Sequence, residues 1–409
     1  MAKRNYSNWI EAYLRHTDHT EAPMAFHLWT AVSTIAGALR RSVYIDQKSF
    51  EWVPNFYIFL VGPAGLVTKS TSLLIGEKIL RGLKTKVKFG SSSGSWQALA
   101  EEIQHSARAA FGGVTTCSVS YYISELGTFL DPTNREQIDF FVSSWDAQRQ
   151  AYTRVTKSGG KLEIPCPCLN LIAGTTPVWI KENFTPTMIG GGFVSRLIFV
   201  KGNAKRRLIA YPALESSDDE FRIREEKLIQ DLLTISSMEG PMKLTAEAIE
   251  WGKTWYEKHW TEKRQLSGER FDGFYARKQT HMHKLAMIYS VAEGDSMTVT
   301  LEHLKKANNT LLIVEKDLAS IIDNVTSKQI STLHKRELLS IIAAEGSIDR
   351  DELYQHLFQM MSITDFERAL ADLTRARQLT IRPVSGKTLL SLKDDVKILP
   401  VDAKKGEAK

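Results

Sequence analysis

The most constraining feature of this 409-residue chain is a strand pattern that runs directly into a glycine loop and then into an apolar helix. The strand is predicted over 55–61, and the loop over 62–71 reads Gly-Pro-Ala-Gly-Leu-Val-Thr-Lys-Ser-Thr. Glycines let the backbone approach a phosphate group, and the N–H groups at the start of a helix point towards it. An ordinary turn before a helix is the alternative. The order of strand, loop and helix favours a phosphate-binding loop at the edge of a sheet.

Strands and helices alternate after this glycine loop, which favours a largely parallel sheet with helices on both faces. In chain order, the predicted elements are a short strand at 85–89, a helix at 95–107, a strand at 116–123, a helix at 136–145, a hairpin at 152–164 and strands at 168–174 and 193–200. The hairpin contains the turn Ser158-Gly159-Gly160 and carries several basic residues. The sequence therefore predicts an α/β core.

Helical patterns flank this core on both sides. Apolar residues recur at helical spacing between Trp9 and Leu39, with a turn-like interruption at 17–23, and again between 216 and 325. Over 331–392, three short helices precede two strands, an order typical of a winged helix. In this last region Thr364 and Glu367 predict a capping box at the start of the third helix.

These patterns divide the chain into five segments. The predicted segments are an N-terminal helical segment at 1–50, the α/β core at 51–212, a helical lid or bundle at 213–325, a winged helix at 326–395 and a flexible tail at 396–409.

Composition restricts the environment of the protein. Hydrophobic residues make up 43% and charged residues 24% of the chain, as in globular domains. The longest apolar runs have the length of strands, far below the ~20 residues that cross a bilayer, so we expect no membrane association. Three cysteines, Cys117, Cys166 and Cys168, match neither a disulfide framework nor a zinc site. A reducing, cytoplasmic location is therefore predicted.

Positive charge is concentrated in one part of the chain. The net charge is +6, yet ten basic and two acidic residues lie between Ala147 and Arg207. Such a block attracts phosphate groups of a nucleotide or of DNA, and the alternative is a solvated charged face.

The glycine loop contains the groups that nucleotide binding requires. Lys69 can reach the β and γ phosphates, and the Ser70 hydroxyl, or that of Thr71, can bind Mg²⁺. The loop is one residue longer than the usual pattern, and Thr68 replaces the glycine that normally precedes the lysine. The predicted ATP-binding residues are Gly62, Pro63, Ala64, Gly65, Thr68, Lys69, Ser70 and Thr71.

Three residues that follow the loop in the sequence are candidates for a role in ATP hydrolysis. Glu125 follows a strand and is suited to binding Mg²⁺ through water and to activating the attacking water, although a lone acid there is often a solvated loop residue. Thr176 ends the next strand and could orient that water, with a local turn before Pro177 as the alternative. Arg196 could reach a phosphate in a neighbouring subunit or form a structural ion pair. Arg277 and Lys284 are weaker candidates for sensing nucleotide.

The segments that carry these residues form a recognisable set. They are Asn8-Trp9 through Glu21-Ala22-Pro23 to Ala38-Leu39-Arg40, the long glycine loop, Ser124-Glu125-Leu126-Gly127, Gly174-Thr175-Thr176-Pro177 and Gly192-Phe193-Val194-Ser195-Arg196. Over about residues 8–320 the chain resembles an uncharacterised phage and plasmid family of primase-helicase-type ATPases, similar to superfamily 3 and other AAA+ helicases. The resemblance implies a P-loop NTPase core of the AAA+ or RecA-like type.

The resemblance also implies roles for individual residues. Lys69 corresponds to the Walker A lysine, Glu125 to the Walker B glutamate, Thr176 to the polar sensor and Arg196 to an arginine finger between ring subunits. ATP and Mg²⁺ are the implied cofactors. The basic hairpin lies where superfamily 3 helicases have a DNA-tracking loop, which gives Arg154, Lys157 and Lys161 a role in DNA binding.

The leading hypothesis is a hexameric ATP-dependent DNA helicase or replication ATPase that grips single-stranded DNA. The winged helix, with Arg375, Arg377, Arg382 and Lys387, would bind origin duplex or dock a partner. No primase motif precedes the glycine loop, so priming is expected from another protein.

Two departures from the family pattern leave other functions open. The long loop and Ser124, in place of the usual aspartate, leave efficient hydrolysis in question. A nucleotide-gated adaptor or helicase loader that hydrolyses little ATP is the main alternative. A DNA-binding regulator with a vestigial loop is a third.

Overall fold

The computed structural model of the chain describes residues 4–156, 160–262, 269–358, 361–384 and 387–393. The chain forms two compact units, Met1–Ile322 and Asp323–Lys409.

The first unit begins with helices that belong to its core. These elements are α1 (Trp9–His16), α2 (Met24–Leu39), β1 (Val43–Asp46) and β2 (Glu51–Trp52). The Asn8 side chain accepts a hydrogen bond from the Glu11 N–H and so caps α1. Helix α2 is apolar around most of its circumference and almost fully buried, as expected for a core helix. The Asn170 amide donates to the Ser33 carbonyl at 2.9 Å, which holds α2 against the sheet.

The α/β region follows, and its alternation of elements is confirmed. Its elements are β3 (Tyr57–Val61), α3 (Lys69–Arg81), α4 (Trp96–Gln104), β4 (Ala107–Ala109), β5 (Thr115–Ile123), α5 (Arg135–Ser144), β6 (Tyr152–Thr156), β7 (Gly160–Ile164), β8 (Pro167–Thr175), α6 (Pro177–Asn183), α7 (Pro186–Gly190) and β9 (Leu197–Lys201).

Five of these strands form one sheet in the order β4-β5-β8-β3-β9. Strands β5, β8, β3 and β9 are parallel, and the edge strand β4 is antiparallel to β5. All residues of β3 and β8 are buried, and the uninterrupted apolar sequence of β3 is typical of a strand covered on both faces. The protein is thus α/β with a mainly parallel sheet.

Two predicted strands differ from the structure. At 85–89 only Phe89 pairs, in a single parallel bridge with Ser120, and Lys84–Lys86 form a 3₁₀ turn. The strand predicted at 193–200 begins at Leu197, because Val194–Arg196 form another 3₁₀ turn. In both places a tight turn uses the backbone groups that a longer strand would need.

The rest of the first unit is mainly helical. Its elements are α8 (Asp218–Ile235), β10 (Gly240–Pro241), β11 (Lys243–Leu244), α9 (Ala246–Thr261), α10 (Glu269–Glu293), β12 (Thr298–Val299) and α11 (Leu301–Glu345), whose last residues belong to the second unit. The short strands were not predicted: β10 pairs with β1, and β11 pairs with β12. Throughout the described chain, no helix is both long enough and apolar enough to cross a membrane.

The second unit contains β13 (Ser347–Asp349), α12 (Arg350–Leu357), α13 (Ile363–Arg375), β14 (Leu379–Val384) and β15 (Lys387–Leu392). The three strands form an antiparallel sheet in the order β13-β15-β14. The predicted capping box is wrong. Ser362 caps α13 by accepting from the Asp365 N–H at 3.2 Å, so Thr364 lies inside the helix. The winged-helix assignment stays a prediction.

Four buried histidines are expected to make the stability of the folded chain fall in acid. Burial lowers the pKa of His16 and His283 to about 4 and of His27 and His281 to about 3, so the folded chain holds them uncharged. Above the unfolded value of about 6.5 they do not affect the free energy of unfolding. As pH falls below 6.5, only the unfolded chain binds their protons, so stability is lost until the folded pKa is reached.

The expected loss is about 1.4 kcal/mol per pH unit for each histidine. A His283→Phe variant keeps a ring stacked on Trp52 but no longer titrates. Urea unfolding between pH 7.5 and 5 should show a shallower decline in this variant than in the wild type. Equal declines in stability in the variant and the wild type would contradict the prediction. The control is His105→Phe, because His105 is exposed.

Candidate nucleotide-binding site

The candidate site lies where parallel strands end together. Val61, the last residue of β3, pairs with Thr175 at the end of β8 and with Lys201 at the end of β9. Strand β5 ends nearby, because Ile123 pairs with Ala173. The Gly62 N–H donates to the Thr175 carbonyl at 3.2 Å, which fixes the start of the glycine loop on this edge. Residues that follow β3, β5 and β8 therefore share one edge of the sheet.

The glycine loop bends through two residues with positive φ. Gly65 has φ +69°, and Thr68 has φ +40° and ψ +44°. Thr68 thus adopts the left-handed conformation that suits glycine, at the position where the usual motif has glycine. A β-branched residue is strained there, and the Thr68 hydroxyl is buried with no hydrogen-bond partner among the described residues. The loop therefore enters α3 through a strained, left-handed threonine.

Helix α3 begins with its backbone donors available. It starts at Lys69, and within the described residues no side chain caps it and no acidic residue occupies its first turn. Ser70 and Thr71, in that turn, are exposed. Free N–H groups and the positive end of the helix dipole favour an anion.

Lys69 folds back over the loop. Its ammonium donates to the Gly62 carbonyl at 2.7 Å and to the Pro63 carbonyl at 3.1 Å. Burial lowers the pKa of Lys69, and the negative charge of Glu125 opposes this shift. The ammonium is therefore held at the loop by two neutral acceptors, which a phosphate can replace with a stronger, charge-assisted interaction.

Gly174 explains how Glu125 is placed. A Cβ atom at Gly174 would lie 2.6 Å from the Ser124 carbonyl oxygen and 3.6 Å from the Lys69 Cβ. The end of β8 thus packs directly between the residue before Glu125 and the start of α3. The exposed carboxylate of Glu125 and the Lys69 side chain are brought to the same edge as a result.

The two threonines after Gly174 differ in their contacts. The Thr176 hydroxyl accepts from the Trp179 N–H at 3.1 Å and caps α6, so it has a structural role. The Thr175 hydroxyl is buried and has no partner among the described residues. Buried hydroxyl groups normally have a partner, which makes Thr175 the stronger candidate to contact a ligand. In the sequence, the feature that could have identified Thr175 as a candidate is its position as the last residue of a buried strand.

Arg196 is not part of this site in its own chain. It precedes Leu197, which pairs with Tyr57 at the opposite end of β3. Its guanidinium is buried and donates to the Gly192 carbonyl at 2.9 Å and to the Asp146 carboxylate at 3.2 Å. Arg277 also binds Asp146, at 3.2 Å. Sequence reasoning missed Asp146, because nothing local marks a carboxylate that binds two distant arginines.

Lys284 also lies at this opposite edge. It donates to the Asn55 side chain and to the Trp145 carbonyl, each at 2.9 Å. Burial lowers the pKa of Lys284 to about 7. These contacts link α10 to Asn55, which precedes β3, so they support a structural role for Lys284.

Most of the basic block is neutralised within the fold. In the predicted DNA hairpin, Arg154 pairs with Glu136 and Lys161 with Glu163, both at 2.6 Å, and Lys157 lies outside the described residues. Seven of the ten basic residues have acidic partners in the described structure: Arg149, Arg154, Lys161, Arg196, Lys205, Arg206 and Arg207. Charge counted along the sequence therefore overstates the attraction of this block for DNA.

The candidate DNA-binding residues of the second unit are exposed: Arg375, Arg377, Arg382 and Lys387. The cross-strand pairs Arg382–Leu389 and Val384–Lys387 place Arg382 and Lys387 on one face of the β14–β15 hairpin. No ion pair of these four is seen in the described part of the chain.

The strain at Thr68 makes a testable prediction. A Thr68→Gly change removes the left-handed penalty and is expected to raise the free energy of unfolding by about 1 kcal/mol, net of the greater freedom of glycine in the unfolded chain. Chemical denaturation measures this directly. The same change at Thr71, which lies inside α3, should instead destabilise the protein. A less stable Thr68→Gly variant would contradict the assigned loop conformation.

The structure thus brings together the glycine loop, Lys69, Glu125 and the two threonines, while Arg196 lies at the opposite edge of the sheet. Among the described residues, no group of three or more histidine, cysteine, aspartate or glutamate side chains is arranged to hold a metal. No protein-family model and no curated protein match this chain.

Proposed function

We propose that this chain is an ATPase of the P-loop type that binds ATP at the glycine loop. The observation that carries the proposal is the uncapped start of α3, which lies beside the Lys69 ammonium and the exposed Glu125 carboxylate. The unpartnered Thr175 hydroxyl on the same edge fits a ligand with many acceptor oxygens.

Each group has a distinct part in the proposed reaction. The N–H groups of α3 bind phosphate oxygens, and Lys69 exchanges the Gly62 and Pro63 carbonyls for the β and γ phosphates. Glu125 accepts a proton from the attacking water, and the hydroxyl of Thr175 or Thr176 orients that water. Ser70 would hold Mg²⁺, with Glu125 contacting it through water, and the bound ion supplies charge neutralisation on the phosphates.

We further propose that DNA is the effector of this ATPase, as in a phage or plasmid replication helicase that acts in the cytoplasm, with priming supplied by another protein. Arg196 lies at the opposite edge from the glycine loop, so it can complete a site only in a neighbouring copy. A hexameric ring is the assembly that would place it there. The exposed Arg382 and Lys387 support DNA binding by the second unit.

A second candidate function, a nucleotide-gated adaptor or helicase loader, has one observation in its favour. Arg196 is buried and bound to Asp146, so it is not free to act as a finger without rearrangement. Such a protein would bind ATP but show slow turnover that DNA does not stimulate.

The test compares Lys69→Ala with Lys78→Ala. Both lysines lie on α3, and Lys78 binds Glu225 at 2.8 Å on a different side of the helix. Loss of a charge-assisted contact costs about 1.5–3 kcal/mol, so we expect Lys69→Ala to weaken ATP binding by about 10–150-fold. Lys78→Ala should bind ATP normally. Equal affinities in the wild type and both variants would refute the nucleotide site.

Turnover measured with and without single-stranded DNA separates the two functions. DNA-stimulated hydrolysis that Lys69→Ala removes supports the helicase-type ATPase. Tight ATP binding with slow turnover that DNA leaves unchanged supports the adaptor.

A further inference from the structure

Three adjoining cavities form a groove along β2, on the side of the first unit that carries α9 and α10. Their volumes are about 440, 340 and 700 Å³. Phe50 and Glu51 line both the first and the second cavity, and Trp52 and Gln279 line both the second and the third. We call this continuous feature, from Lys48 to Tyr256, the β2 groove.

Aromatic side chains occur along the whole β2 groove. Phe50 and Tyr256 are each 43% exposed. Trp52 lies between them, is only 7% exposed, and stacks on His283 with ring centroids 4.0 Å apart. Burial lowers the pKa of His283 to about 4, so this stacked pair is uncharged at neutral pH. Exposed rings at intervals are platforms on which bases can stack.

Positive charge lies beside these rings. Two cations of the β2 groove are already paired, Arg149 with Glu51 and Arg277 with Asp146. Lys48 and Lys243 are exposed and show no ion pair within the described residues, and Lys253 lies 3.7 Å from Glu250 at the surface. Such an exposed pair is weak, so these three lysines remain available to phosphate groups.

A helix-interior glycine keeps the third cavity open. Gly252 lies in the middle of α9, where glycine costs about 1 kcal/mol relative to alanine. No described atom lies within 4 Å of the position that its Cβ would occupy. Packing inside the folded chain therefore does not require a glycine there, and its absent side chain leaves space beside α9 for an occupant.

We propose that the β2 groove binds single-stranded nucleic acid, with bases stacked on Phe50 and Tyr256 and phosphates bound by Lys48, Lys243 and Lys253. Bases reach such rings only when they are unpaired, so a single strand fits better than a duplex. This inference rests on the proposed function in taking DNA as the effector. It replaces the β6–β7 hairpin as the main contact, because the Arg154 and Lys161 charges are compensated.

The experiment measures binding of a labelled oligothymidylate, about 20 nucleotides long, to the full chain over a series of salt concentrations. Phe50→Ala/Tyr256→Ala should weaken binding by about tenfold or more. Lys243→Glu/Lys253→Glu should also weaken it and reduce the salt dependence by about two charges. Gly252→Gln should raise thermal stability yet lower DNA affinity, a combination that a purely structural role does not produce. Lys161→Glu, in the hairpin, is the matched charge control.

DNA binding that survives the groove variants but is lost in Lys161→Glu would overturn this proposal and leave DNA as the effector. A wild-type chain that binds no single strand would overturn both. Binding of a protein partner in the β2 groove, with no binding of DNA there, would also overturn the proposal. Basal ATP hydrolysis, measured on the same samples without DNA, shows separately whether the nucleotide site works.

Discussion

Replacing Glu125 with glutamine is expected to lower ATP turnover by about 10²–10⁴-fold, the range for loss of a general base. Glutamine keeps the size of the side chain and its hydrogen-bonding capacity but cannot accept the proton of the attacking water. Glu125 lies on the edge that carries Lys69, since Gly174 contacts both Ser124 and Lys69. Because the glycine loop and α3 are unchanged, ATP affinity should stay near that of the wild type.

Single-turnover hydrolysis and equilibrium ATP binding separate these two effects. Glu101→Gln is the matched control, since Glu101 is an exposed acid on α4. Turnover that is as fast in Glu125→Gln as in Glu101→Gln would remove Glu125 from the mechanism. A fall in affinity equal to the fall in turnover would instead give Glu125 a role in binding.

The second large effect is expected at a buried ion pair between α10 and α11. The Lys278 ammonium and the Tyr275 hydroxyl each donate to the Glu315 carboxylate at 2.5 Å. The Lys278 and Glu315 side chains are only 7% and 2% exposed. A Lys278→Met change leaves the carboxylate buried without its countercharge, so we expect a loss of about 3–5 kcal/mol in the free energy of unfolding.

A rescue variant makes this prediction specific. Lys278→Met/Glu315→Leu removes both charges and keeps similar volumes, so most of the lost stability should return. The control is Lys305→Met. Lys305 pairs with Glu302 at the surface of α11 at 3.3 Å, so this change should lower the free energy of unfolding by less than about 1 kcal/mol. Urea denaturation of the three variants gives the energies. A double variant as unstable as Lys278→Met would show that the charge was not the cause.

Local patterns in the sequence predicted the centre of the fold well. Strands β3, β5 and β8 are almost entirely buried and rich in apolar and β-branched residues, and Gly62, Ser124 or Thr175 marks the end of each strand. Those signals need no knowledge of distant parts of the chain. The parallel sheet and the gathering of the glycine loop, Lys69 and Glu125 at one edge follow from them.

Features set by distant partners were not predictable. Strands β10, β11 and β12 have two residues each and exist only because β1 and one another supply hydrogen bonds. Ser362, and not Thr364, caps α13. Both residue types favour the capping position, so local preference alone does not identify the first residue of the helix. The ion pairs of the basic block join residues far apart in the chain, so charge read along the sequence could not reveal them.

The carboxylate shared by Arg196 and Arg277 bears on how the chain could change state. If Arg196 moved towards another molecule, the half-buried Asp146 carboxylate would keep Arg277 as its countercharge. A partly buried carboxylate without a countercharge is unfavourable, and the second arginine lowers that cost. Sharing one carboxylate between two arginines therefore lowers the electrostatic cost of any movement of Arg196, while its burial and its bond to the Gly192 carbonyl still oppose that movement.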